Sequence, residues 1–164
     1  MSINVCNDRS MASITSLPSG VSGSSLVLIS EQTASSSANI TFDSDIDSTY
    51  KEYVFKFINM QSASTDVAFQ VNFRDGGSSY DATKTTTYFY AEHGEGGEAG
   101  TVSYLASRDE AQSSDAQHLT TNIGRTGSDS ASGYLHLFNP STTTFAKHFM
   151  SKVSNHDTTS PGYS

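Results

Sequence analysis

Residues 50 to 60, YKEYVFKFINM, alternate strictly: Tyr53, Phe55 and Phe57 fall on one parity, Val54, Lys56 and Ile58 on the other. A strand sends successive side chains to opposite faces, so this segment has one aromatic face and one mixed face. Six residues on, DVAFQVNFR places Val67, Phe69, Val71 and Phe73 against Ala68, Gln70 and Asn72. The polar MQSAST between them makes the two strands expected neighbours in a sheet whose aromatic sides share one core.

The rest of the chain extends this pattern. SLVLIS (25 to 30) is a continuous apolar run, which predicts a strand buried on both faces. SANITFD predicts another, with Ile40 and Phe42 inward. TTTYFYAEH and TVSYLA predict two more strands around the glycine-dense loop GEGGEAG, and RDEAQSSDA a surface excursion with at most a helical turn. QHLTTNIG puts Leu119 and Ile123 on one side with Gln117 and Thr121. GYLHLFNP and TFAKHFMSKV predict a hairpin across NPSTTT, with Leu135, Leu137, Phe145, Phe149 and Val153 apolar. Eight or nine short strands with frequent turn signals predict an all-β, antiparallel β-sandwich, jelly-roll-like. An immunoglobulin-like sandwich is the weaker choice, for want of Trp and of paired cysteines.

Composition narrows what such a domain does. Thirty Ser and 18 Thr in 164 residues suit solvated outer faces, since the aromatics recur at alternating positions. The net charge of −8 and singly scattered Lys and Arg exclude a nucleic-acid partner, which needs a clustered positive footprint. No run approaches the roughly 20 apolar residues of a membrane span, and the N-terminal stretch lacks the features of a signal peptide. The single Cys6 excludes an internal disulfide framework. Residues 1 to 24 read as a separate N-terminal arm preceding a domain of residues 25 to 164. This stretch reads either as a disordered leader, with Met11 as an alternative start, or as an arm that orders only against a neighbouring subunit, with the isolated apolar residues Ile3, Val5, Ile14, Leu17 and Val21 as the candidate contacts.

No constellation carries catalysis. Asp43, Asp45 and Asp47 begin like a calcium loop, but Ser48 and Val54 stand where its Gly and Glu belong, so the segment reads as a surface turn. His136 and His148 flank the NPSTTT hairpin without an acidic or thiol third ligand. There is no G-x-S-x-G elbow, and the glutamates of GEGGEAG oppose phosphate binding. Asn39-Ile40-Thr41 fits the glycosylation triplet inside an expected strand. Tyr80, Tyr88, Tyr90 and Tyr104 bracket the glycine loop and are the candidate ligand-facing aromatics, with closure of the core's edge as their other reading. No enzyme, cofactor or metal is expected.

The segments SLVLISEQTASSSANITF, DIDSTYKEYVFKFINM and DVAFQVNFRDGGSSYDATKTTTYFYA, in that order, together with GYLHLFNPSTTTFAKHF, resemble virion structural proteins of marine tailed bacteriophages. The resemblance covers roughly residues 25 to 150. It implies a non-enzymatic β-sandwich on the outer surface of a phage particle: a capsid decoration or head-fibre protein, or a tail-fibre component. A carbohydrate- or receptor-binding module of a fibre is the alternative. The implied partners are other copies of the chain (a trimer, by analogy), other virion proteins and a host surface glycan. Family members continue past the Gly-Tyr that here is Gly162-Tyr163 with a further strand pair, so the sequence is shortened or a neighbour completes the edge.

Overall fold

The computed structural model describes residues 26 to 94, 96, 97, 99 to 125, 127 and 129 to 156. The chain divides into two units, Met1–Thr33 and Ala34–Ser164. In the first, the described residues form no strand, and Leu26, Val27, Leu28 and Ile29 are exposed. The strand expected at 25 to 30 is therefore not formed. An apolar run states that burial is favourable but names no pairing partner, and a strand without a partner leaves its main-chain groups unsatisfied.

The second unit is antiparallel and all-β, as the alternation requires. Its strands are β1 (Glu52–Met60), β2 (Gln70–Val71), β3 (Phe89–Glu92), β4 (Thr101–Tyr104), β5 (Gln117–His118), β6 (Ala131–Phe138) and β7 (His148–Asn155). The only helical turn among the described residues is a 3-10 turn at Ala106–Arg108. The strands form a three-stranded sheet in the order β1-β6-β7 and two ribbons, β2-β5 and β3-β4. The β6-β7 hairpin lies where the sequence puts it, although Phe145 is exposed and precedes the strand.

β1 and β2 are not ladder neighbours. β1 pairs with β6, matching Tyr53 to Leu137 and Phe55 to Leu135, while β2 pairs with β5. Their aromatic sides nevertheless meet: the rings of Phe57 and Phe69 pack edge to face with centroids 4.9 Å apart. Residues 38 to 43 also form no strand, but Phe42 packs edge-on against Phe55 at 5.7 Å, so it serves the core from a loop.

The core lies on one face of the three-stranded sheet. Tyr53, Leu135, Leu137 and Leu119 are buried together, and Phe55, Phe57, Phe69, Val71, Phe73, Phe149 and Val153 pack half-buried around them. Leu135 is 1% exposed. Gly133 is fixed by proximity to β7: a Cβ there would fall 2.3 Å from the Lys152 carbonyl oxygen and 2.7 Å from Val153 Cα. Tyr53 combines burial with a polar anchor, since its hydroxyl accepts from the Asp47 amide at 2.9 Å. Asp47 in turn accepts from the Thr49 amide at 2.8 Å, which pulls its carboxyl below the usual range. Asp45 adopts φ 61°, so the Asp-rich segment is a turn held by its own side chains.

Two end bonds fix how the central strand divides its main chain. Asn139 N–H donates to the Lys51 carbonyl at 2.7 Å, in register with the β1-β6 ladder. His156 N–H donates to the Ser130 carbonyl at 2.9 Å, in register with the β6-β7 ladder. Hydrogen-bonded pairs recur every second residue in an antiparallel ladder. Odd residues of β6 thus bond β1 and even residues bond β7. The odd residues of β7 (Phe149, Ser151, Val153) aim their main-chain groups away from the sheet.

Candidate functional site

β3 and β4 carry an exposed apolar face. In their ladder Phe89 lies opposite Tyr104 and Ala91 opposite Val102, so these four side chains share one side. All are exposed: Phe89 72%, Val102 81% and Tyr104 62%. The connection between the strands is the glycine-dense loop, closed by a Gly97 amide bonding the Gly94 carbonyl at 3.1 Å. Gly97 sits at φ 88°, a conformation that excludes other side chains without strain. Gly96, Gly97, Ala99 and Gly100 are exposed, while Gly94 is buried.

The ribbon is tied to the domain at its root by Asp109. Oδ1 of Asp109 accepts from the Tyr88 amide at 2.7 Å, and Oδ2 accepts from the Tyr104 hydroxyl. That bond keeps the Tyr104 phenol protonated and raises its pKa. Thr86 continues the attachment: its amide donates to the Glu110 carbonyl and its hydroxyl accepts from the Glu110 amide, both at 2.9 Å. Tyr104 therefore presents an aromatic ring held by a carboxylate beside the exposed Phe89. Such a surface can stack on a flat apolar face, whether a sugar ring or another protein.

The four tyrosines singled out in the sequence do not form one site. Tyr88 and Tyr90 occupy the parity opposite Phe89, are half-buried, and pack with each other at 6.5 Å. Tyr80 lies under the Arg74 guanidinium, 5.4 Å from its ring centroid. Only Tyr104 belongs to the exposed face, joined by Phe89 and Val102. The parity of Phe89 against Tyr88 and Tyr90 was the signal in the sequence that separates them. Ile3, Val5, Ile14, Leu17 and Val21 lie outside the described residues.

A second feature is a shallow open hollow of about 290 Å³ lined by Asp66, Val67, Ala68, Gln70, Arg108, His118 and Asn122. The Gln70 side-chain nitrogen is 2.8 Å from His118 Nε2, and an Arg108 nitrogen lies 3.0 Å from both ring nitrogens. Burial and then the Arg108 charge lower the His118 pKa, so the ring is neutral at pH 7. Donor nitrogens of Gln70 and Arg108 thus crowd the ring, and which ring nitrogen accepts depends on its tautomer. Nothing in the sequence around His118 indicated this cluster, because its members come from three separated segments.

The outer face of the three-stranded sheet carries Tyr134, His136 and Phe138 in a row, with ring centroids 5.1 and 6.1 Å apart. His136 is bonded to Glu52, and His148 lies across from Phe138, so the two hairpin histidines share a face without opposing each other. Lys84, which the sequence did not mark out, is buried and bonds the Ala82 carbonyl at 3.1 Å and the Asp115 carbonyl. Desolvation lowers its pKa, and it pins two loops together. Among the described residues no group of three or more His, Cys, Asp or Glu is placed to hold a metal ion, and no helix is long and apolar enough to cross a membrane. Compared with protein-family models, with curated proteins and with solved structures, the chain finds no match in any of the three.

Proposed function

We propose that this chain is a non-enzymatic structural protein of a tailed-phage virion, carried on the particle exterior as a capsid decoration, head-fibre or tail-fibre component. Its domain is a jelly-roll-like sandwich that assembles with copies of itself and with other virion proteins. The observation that carries an assembly role is the exposed apolar face of Phe89, Ala91, Val102 and Tyr104 on the β3-β4 ribbon. Large exposed apolar patches on a domain with a formed core mark contact sites. The virion setting comes from the segmental resemblance described above. Mass spectrometry of purified phage particles encoding this chain tests it. Stoichiometric copies in intact particles support the reading; presence only in the lysate, with none in particles, overturns it.

The aromatic pair beside the Asp109 carboxylate favours a second reading, a carbohydrate- or receptor-binding module of a fibre. A glycan array with the full chain separates the two. Saccharide binding that is lost in both Phe89→Ala and Tyr104→Ala supports it, and a blank array removes it.

A further inference from the structure

We propose that the free edge of β7 is a twofold docking strand that takes the β7 of a second copy, antiparallel, with Ser151 facing its own counterpart. This contact is independent of the virion reading and distinct from the arm-mediated trimer expected from the sequence. β7 is the outer strand of the sheet, and its ladder to β6 uses the even residues, as the His156 to Ser130 bond fixes. Phe149, Ser151 and Val153 therefore aim N–H and C=O groups outward. Such a row is a template for another strand.

The register follows from the side chains. Outward-pointing residues must pair with outward-pointing residues, so odd residues oppose odd residues. Two registers use nearly the whole strand of eight residues. One places Lys152 opposite Lys152 of the second copy, a like-charge contact that is unfavourable. The other centres on Ser151. It sets Phe149 against Val153 on the core side, and Met150 against Lys152 and His148 against Ser154 on the outer side. The aromatic with β-branched pairing is a favourable cross-strand combination. Phe149 and Val153 are only half-buried and Met150 is exposed, so the contact buries apolar surface that one copy leaves open.

The opposite edge is a poorer partner. β1 breaks register between Phe57 and Met60, with Asn59 at φ 52°. It also runs in the same direction as β7, so stacking sheets in one orientation would require a parallel ladder, the weaker geometry. Self-pairing of β7 is the antiparallel, closed solution.

Light scattering on the full chain should give twice the 17.5 kDa chain mass. Ser151→Glu and Ser151→Lys each place like charges at the centre and should be monomeric, while a mixture of the two should restore the dimer. Circular dichroism melts confirm that each variant stays folded; Ser151 is exposed and its main-chain groups are not used by β6, so the fold tolerates both. In a Cys6→Ser background, Ser151→Cys should form an intermolecular disulfide under mild oxidation, because directly opposed hydrogen-bonded residues sit about 5.5 Å apart at Cα. Met150→Cys should not, since its counterpart is displaced by two residues. A monomeric wild type at its highest soluble concentration, a trimer mass, or equal cross-linking at 150 and 151 each overturns the proposal.

Discussion

The β1-β6-β7 sheet and the β3-β4 ribbon are both built from alternating apolar residues, yet one has a buried face and the other does not. In the sheet, Tyr53, Leu135 and Leu137 meet Leu119, with Phe69, Val71 and Phe73 closing over them. In the ribbon, Phe89, Val102 and Tyr104 project into solvent. Alternation therefore reports that a strand has an apolar face. It does not report that the chain supplies a second layer to cover it. Where no cover is supplied, the apolar face is available to a partner.

The sharpest way to break this contrast is to truncate one residue in each region. Leu135→Ala leaves a cavity beneath the sheet and should lower stability by about 2 to 5 kcal/mol, read from urea unfolding. A loss below about 1 kcal/mol would mean that the sheet is no better packed than the ribbon. Next is Gly133→Ala, whose new methyl group would collide with the β7 main chain. Spreading β6 from β7 should cost about 1 to 3 kcal/mol. Gly100→Ala has a similar clash, 2.7 Å from the Glu92 carbonyl oxygen, but confines the damage to the ribbon, so its global unfolding midpoint should move less.

A smaller effect concerns pH. His118 has a lowered pKa in the fold, against about 6.5 when unfolded. The folded state thus binds the proton less readily than the unfolded chain. Its contribution is whole above about pH 6.5 and is lost as pH falls toward the lower folded value. Urea midpoints measured between pH 7 and pH 5 should fall more steeply for the wild type than for His118→Gln. Parallel curves would show that the fold does not lower the His118 pKa. The smallest expected change is in Phe89→Ala, within about 0.5 kcal/mol of wild type, because the ring is already solvated. A larger loss would show that the ribbon face is covered after all.

Much of the sheet was legible in the residues themselves. Strict parity in YKEYVFKFINM and GYLHLFNP marks β1 and β6 and identifies Tyr53, Leu135 and Leu137 as inward. The hairpin to β7 follows from Asn139-Pro140 and the short link. What parity cannot supply is partnership. β1 is followed by the Phe69 segment in sequence, but its ladder partner is more remote, and the choice between them rests on register and packing across the whole domain. The same holds at the candidate surfaces. Arg108, His118 and Gln70 carry no local motif and come together only through the β2-β5 pairing and the 3-10 turn. The exposed ribbon face was partly readable, since Phe89 lies on the opposite parity from Tyr88 and Tyr90; its lack of cover was not.

The division of β6 between two neighbours also sets an order of events during synthesis. β7 follows β6 closely, so that hairpin forms from local contacts as soon as both emerge. β1 is complete at Met60, but its partner begins only at Ala131. At roughly 5 to 20 residues per second, a ribosome leaves β1 waiting several seconds with Phe55 and Phe57 unmatched. During that interval the aromatic side of β1 has no ladder partner, and slower translation between β1 and β6 would lengthen its exposure.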